Sequence, residues 1–355
     1  MSEVLGRIWE GLEMSFLMAY EVWWALVLGF AISAIVQAWV PRERVQSALA
    51  GSGFVPVAKA TGLGALSSSC SYAAIAIARS LFEKGASATT ALAFQFASTN
   101  LVWELGLVIW LLIGWQFTLA TFLGGLLMIA LMALLLRAFV SPRLEAQARE
   151  QATAAAAGHC HEHGEKAAER SWTEVAFRFR ADWTMLWKEI AIGFLLAGFI
   201  GLLGDDFFNV LFVEDAPAAV KTIENVIAGP LIAVLSFVCS VGNAPLAAVL
   251  WSGGISFAGV IAFLFADLIV VPIVLAYAKF YGWPFALRIV ALMFVTIVIA
   301  ALLIDGVFGL AGLVPHARPS RADVFGSVEL DYKLVLNLIG LAVFSGLFWL
   351  TRQRV

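Results

Sequence analysis

Displaced by 169 residues, the chain matches itself without a gap. Cys70-Ser71 falls on Cys239-Ser240, Gly85 on Gly254, and Ala93-Phe94-x-Phe96-Ala97 on Ala262-Phe263-x-Phe265-Ala266. The same displacement puts Gly29-Phe30 on Gly198-Phe199. One offset that aligns separated landmarks marks a duplication rather than shared apolar composition. Each copy sets a small, polar segment inside long apolar sequence: Ser67-Ser68-Ser69-Cys70-Ser71 in the first, Cys239-Ser240 followed by Gly242, Asn243 and Pro245 in the second. At bilayer depth such a segment is tolerable only where its polar groups line a protected cavity.

The chain of 355 residues is 62% hydrophobic and only 13% charged, with a mean hydropathy of +0.92. A soluble domain carries about a quarter charged residues, so these values define a polytopic, all-α membrane protein with the lipid bilayer as partner and no nucleic-acid role. Three cysteines, Cys70, Cys160 and Cys239, cannot build a disulfide framework and read as free thiols. The acidic start (Glu3, Glu10, Glu13) lacks a small-residue cleavage site and reads as no removable signal peptide. There is no Gly-x-Ser-x-Gly elbow, no HExxH and no GxxxxGK[ST] loop, so no enzymatic activity and no cofactor are expected.

Residues 1–13 read as a short interfacial helix anchored by Trp9, and Val22 to Val40 as a span ended by Pro41. Ala86 to Leu112, Phe117 to Val140, Trp183 to Leu203, Gly254 to Phe280, Phe285 to Ile304 and Leu334 to Leu350 are further apolar runs of spanning length. Residues 141–182 form a basic, Ala-rich, solvent-exposed linker between a first membrane repeat (1–140) and a second repeat with its C-terminal helices (183–355). The positive-inside rule puts that linker, Arg352 and Arg354 in the cytoplasm, and the acidic loop with Asp205, Asp206, Glu214 and Asp215 outside. Val226 to Trp251 then begins and ends outside, and Thr61 to Phe82 begins and ends inside. Each is expected to be a re-entrant or broken Cys-Ser hairpin. The fold expected is two inverted-topology repeats with about seven full spans, an arrangement common among secondary transporters.

Small residues at the hairpin tips allow half-helix N-termini to meet at a midplane site. Cys70, Ser69, Ser71, Cys239, Ser240 and Asn243 are therefore the candidate substrate residues, with Gln95 and Asn100 as lining; tight helix packing by small residues is the competing reading. Two approaching thiols point to a soft ion or metalloid as substrate, although a buried free cysteine also serves as a small hydrophobe. Asp267 lies within an apolar run, where an acid costs about 2.5–3.5 kcal/mol on insertion scales. Proton coupling, cation ligation and a structural hydrogen bond to a broken hairpin are its three readings. The first copy carries Ser98 at the equivalent position and places its acid at Glu104, either a coupling residue or one solvated at the outer interface. His159, Cys160, His161 and His163 in the linker read equally as a transition-metal site or as part of a variable tether.

GLGALSSSCSYAAIAI and CSVGNAPLAAVLWSGGISFAGVIAFLFADLIVVPIVLAYAKFYG resemble the predicted permease family that includes the ArsP-type organoarsenical efflux permeases. The likeness covers about residues 22–310 and is densest around G-N-A-P-L and F-A-D-L-I-x-x-P. It implies an inner-membrane permease of bacteria, with efflux of trivalent organoarsenicals in its best-known branch. The chain departs from that branch at Tyr72, where a Cys-Ser-Cys run loses its second cysteine. The expected function is secondary, proton-coupled export of a small soft solute. A metal-receiving or redox membrane protein acting with a partner, and a passive channel, are the rivals. Because the His-rich cluster lies outside every span, replacing His159, His161 and His163 by Ala is expected to leave transport of a non-metal substrate intact. A flux assay that finds complete loss would refute this.

Overall fold

The computed structural model describes residues 2–39, 53–67, 71–83, 85–157, 171–203, 212, 217–236, 240–315, 317–319 and 332–352. Every regular element among the described residues is a helix. The first half contains α1 (Ser2–Trp39), α2 (Phe54–Ser67), α3 (Ser71–Glu83), α4 (Ala88–Asn100), α5 (Trp103–Ile113) and α6 (Trp115–Phe139). Then α7 (Pro142–Ala157) leads to α8 (Trp172–Gly201), α9 (Ala218–Ser236), α10 (Ser240–Ser252) and α11 (Phe257–Phe265). A 3-10 turn (Ala266–Ile269), α12 (Val271–Tyr281), α13 (Trp283–Leu310) and α14 (Tyr332–Arg352) follow. By length and composition, four helices are able to cross a membrane unaided: α6, α9, α13 and Lys333–Thr351 of α14. Counting each of three bent pairs as one span raises the number to seven.

Helix ends recur at the sequence offset. Ser71–Glu83 lies 169 residues before Ser240–Ser252, and Ala88–Asn100 the same distance before Phe257–Ile269. The local chemistry recurs with them. Ser87 and Ser256 both adopt extended N-cap backbone (φ −68°, ψ 157° and φ −67°, ψ 159°), and each hydroxyl accepts from the N–H three residues on. Before each cap a glycine at positive φ, Gly85 (99°) or Gly254 (108°), ends the previous helix. In the first copy the N–H groups of Ala86 and Gly85 bond Leu81 O and Phe82 O at 3.0 and 3.2 Å. In the second, Ile255 and Gly254 bond Leu250 O and Trp251 O at 3.2 and 3.3 Å. Both are Schellman motifs.

Corresponding helices of the two halves pack against one another and run antiparallel. Along α6 and α13, Arg288 donates to Phe139 O at 2.8 Å, Thr296 meets Met132 Sδ at 3.7 Å, and Gly124 faces Ile304. One chain number rises as the other falls. Along α1 and α8, Phe30 packs on Trp183 with ring centroids 5.2 Å apart, while Gly11 meets Phe199 at the other end. The first arms α4 and α11 form the centre and are almost wholly buried. They are approached so closely that a Cβ at Gly64 of α2 or at Gly229 of α9 would stand 2.5 Å from the carbonyl oxygen of Phe94 or Gly259. Small residues make that backbone contact possible. Large apolar side chains such as Leu126, Leu134, Leu287, Leu303 and Val307 are exposed, as suits helices facing lipid.

Four expectations change. Ala86–Leu112 and Gly254–Phe280, read as single spans, are broken pairs: α4 and α5 meet at 42°, and α11 with its 3-10 turn meets α12 at 41°. In the second, Pro272 lacks an N–H and starts a new helix after extended Val270. In the first, Ser98 and Thr99 turn their hydroxyls onto Gln95 O and loosen the last turn. The expected interfacial helix and first span are one element, α1, bent by 49° between Tyr20 and Val22. Asn337 of α14 inserts there, accepting from Trp24 N at 3.0 Å and donating to Tyr20 O at 2.9 Å, the pair an unbroken helix would join. The start of the expected solvent-exposed linker is docked: Ala148 and Ala152 of α7 are buried, Arg79 donates to Ala152 O at 3.1 Å, and Glu145 accepts from Ala88 N at 3.0 Å. Finally, α8 begins at Trp172 rather than Trp183, and α9 at Ala218 rather than Val226.

Replacing Asn337 by Leu keeps the volume and leaves two backbone groups of α1 unpaired in a buried setting. The expected cost is about 1–3 kcal/mol, read as a lower unfolding temperature of the purified protein. An unchanged transition would show that the inserted amide does not hold the bend.

Candidate functional site

The centre of the molecule is a carboxylate held between the halves. Asp267 lies in the 3-10 turn at the break between α11 and α12 and is 1% exposed. Two hydroxyls donate to its Oδ2: Ser71 Oγ at 3.1 Å and Ser240 Oγ at 2.5 Å. These serines are the first residues of α3 and α10, one from each half, so two helix N-termini converge on one acid. Their partial positive charges and free N–H groups favour an anion there. The preceding helices end in matching fashion: Ser67 and Ser236 turn back to the carbonyls of Gly64 and Ala233, each at 2.9 Å. A serine spent on its own last turn supports a helix end rather than its continuation.

Around the acid the polar residues fall into two groups. Asn100, at the end of α4, has its side chain beside the Asp267 carboxylate and donates from Nδ2 to Thr99 Oγ1 at 3.0 Å. Gln95, a turn earlier, reaches Tyr277 of α12 instead, with Nε2 2.5 Å from the phenol oxygen. Ser98, the counterpart of Asp267, bonds Gln95 O at 3.0 Å. Asn243 is fully buried on α10, and its Oδ1 receives Ser236 Oγ at 3.4 Å. Four buried side-chain atoms here, Gln95 Oε1, Asn100 Oδ1, Asn243 Nδ2 and Asp267 Oδ1, complete no hydrogen bond of ordinary geometry with the described residues. Each such atom carries a desolvation cost of about 1–3 kcal/mol.

The fold thus brings Ser71, Ser240, Asn100 and Asp267 together. Gln95 is engaged with Tyr277, Asn243 lies one turn into α10, and Glu104 is buried in the first turn of α5, beyond the break that follows Asn100. Ser69, Cys70 and Cys239 lie outside the described residues, as do His159, Cys160, His161 and His163. Among the described residues no three His, Cys, Asp or Glu side chains gather as a metal site. Tyr277 was missed by sequence reasoning. Its signal was available: a phenol hydroxyl in an apolar run must find a partner. Chemically, the arrangement is able to hold and release a proton or a polar solute at Asp267.

Broken helices, apolar outer faces and a polar centre shared by two halves define a polytopic membrane protein of transporter type. The comparison with known proteins makes this specific: residues 9–306 match the family model ArsP_1, described as predicted permease, and the chain belongs to that family. It is 43% identical over 303 residues to a Mycobacterium tuberculosis (strain H37Rv) protein that carries the name of a permease, covering 81% of this chain and 74% of the other. No solved structure matches. Helix α14 lies beyond the family match.

Proposed function

We propose that this permease exports a small soft solute, of metalloid, organometalloid or metal-related class, across the bacterial cytoplasmic membrane by a secondary, proton-coupled mechanism. Two inverted repeats, 1–140 and 183–355, alternate about a shared site, with the 141–182 linker and the C-terminus cytoplasmic. One observation carries the reading: Ser71 and Ser240, equivalent residues of the two halves, both bond the single carboxylate of Asp267. The antiparallel pairing of corresponding helices and the recurrence of helix ends at one offset support the inverted arrangement. Cys70 and Cys239 each precede one of these serines in sequence and supply the soft donors; Ser69, Asn243, Gln95 and Asn100 complete the candidate set, and Glu104 is a secondary acid. Export, rather than uptake, rests on the family resemblance.

A resistance screen of deletion and overexpressing strains across metals, metalloids and organoarsenicals identifies the substrate. With it in hand, Asp267→Asn keeps shape and one acceptor oxygen but removes titration. Near-complete loss of uphill transport is expected, with substrate binding and downhill exchange retained. Full uphill transport by correctly inserted protein would remove Asp267 as the coupling group, and failure to insert would assign it a purely structural role. Topology is checked separately by thiol labelling of single cysteines in intact cells. Positions Ser2 and Asp206 are expected to react from outside, and Gly158 and Arg354 not; external labelling at Gly158 would overturn the inverted scheme.

A further inference from the structure

The offset that relates the two Cys-Ser segments also relates two arginines: Arg149 and Arg318 are 169 residues apart. Both make the same contacts. Arg149 of α7 donates to the carbonyl oxygen of Phe82 and, at 2.9 Å, to that of Ala86, with its guanidinium 4.1 Å from the centre of the Phe82 ring. Arg318, in the stretch after α13, donates to Trp251 O at 2.9 Å and sits 4.3 Å from the centre of the Trp251 ring. Phe82 and Trp251 are themselves equivalent at the same offset. Each arginine therefore grips the second-arm helix of one hairpin, α3 or α10, at its C-terminal end. The carbonyls there lack helical donors and the helix dipole is negative, so a cation is favoured. Stacking on the ring adds a further attraction.

The two grips lie at opposite ends of the bundle. Helices α6 and α13 are antiparallel, with Phe139 beside Arg288 and Gly124 beside Ile304, so their C-terminal ends point in opposite directions. Arg149 follows the first and Arg318 the second. At its other end, each gripped arm begins with the serine that bonds Asp267.

We infer that Arg149 and Arg318 are a duplicated pair of latches, positioning residues that hold the Ser71 and Ser240 arms and close the route to Asp267 from opposite ends of the molecule. This rests on the alternating cycle proposed above. A latched arm keeps its serine on the carboxylate; a released arm swings its N-terminus away and opens the site to the side on which its own arginine lies. A guanidinium is suited to this, because a planar fork reaches a carbonyl and a ring face together, which an ammonium does not.

The test uses the full-length protein with Cys160→Ser, in right-side-out and inverted membrane vesicles, and a membrane-impermeant maleimide that reports on Cys70 and Cys239. Arg149→Ala is expected to raise the labelling rate about tenfold from the side of α7, the factor that loss of one charge-assisted hydrogen bond allows, with little change from the other side. Arg318→Ala is expected to do the reverse. Arg149→Lys and Arg318→Lys keep the charge and lose the fork; they should show the same sidedness at smaller amplitude, and they carry the test where an Ala variant fails to fold. Unchanged labelling in folded variants overturns the latches and leaves the permease reading to its own topology test. An equal rise from both sides makes the arginines general fasteners and overturns the inference. A rise from one common side overturns it together with the inverted arrangement.

Discussion

Within a membrane each helix that stops must have its freed backbone groups satisfied by protein, because lipid offers no hydrogen bonds. This molecule breaks helices repeatedly near its centre, and much of its remaining structure answers that demand. Ser87 and Ser256 cap the central arms, and Gly85 and Gly254 close the arms before them. Side chains from neighbouring elements do the rest. Glu145 accepts from Ala88 N in one half, and in the other Asn225 accepts from Ser256 N at 2.6 Å. Asn337 fills the bend of α1. In this sense α7 and α14, which lie outside the duplicated landmarks, are parts of the core: each supplies side chains where the ladder is open.

The two halves share a backbone plan but not a polar inventory. Asp267 stands where the first half has Ser98, Tyr277 where it has Val108, and the amides Gln95 and Asn100 where the second half has Leu264 and Ile269. The principal polar contacts consequently run between halves: Gln95 to Tyr277, and Ser71 to Asp267. A symmetric pair of acids would bring two like charges together at low dielectric and double an insertion cost of several kcal/mol. One carboxylate shared by two equivalent serines keeps the geometric symmetry without that penalty.

Much of this was legible from sequence for a plain reason. Polar residues in apolar runs stand out, so Ser71, Ser240, Asn100 and Asp267 were visible as candidates, and long apolar runs announced the helices. The joins were less visible. The break after Asn100 has no proline and depends on hydroxyls bonding back to Gln95 O. The bend in α1 is made by a side chain 313 residues away from its partner Trp24. Helix α7 reads as a tether because its composition is Ala-rich and charged, and only docking against Arg79 and Ala88 gives it a buried face. Arg149 and Arg318 sit in polar stretches where the repeat is otherwise faint, so their common offset carried no weight until their contacts were seen.

The shared carboxylate oxygen also bears on how two arms are kept in step. Ser71 and Ser240 donate to the same Oδ2, so withdrawing either arm removes one charge-assisted bond, worth about 1.5–3 kcal/mol, and leaves the other in place. Withdrawing both leaves the buried acid with neither serine donor, a cost well beyond twice the first step because no donor then answers its charge. The arms are rigid enough for this to matter: thirteen residues of helix span about 20 Å, so displacement at the Phe82 or Trp251 end is transmitted to the serine end rather than absorbed. A permease working by the proposed cycle needs both closed-on-one-side states to be accessible and the state open on both sides to be scarce. One acceptor shared between two otherwise independent helices produces that bias from hydrogen bonding alone, without any contact between the arms themselves.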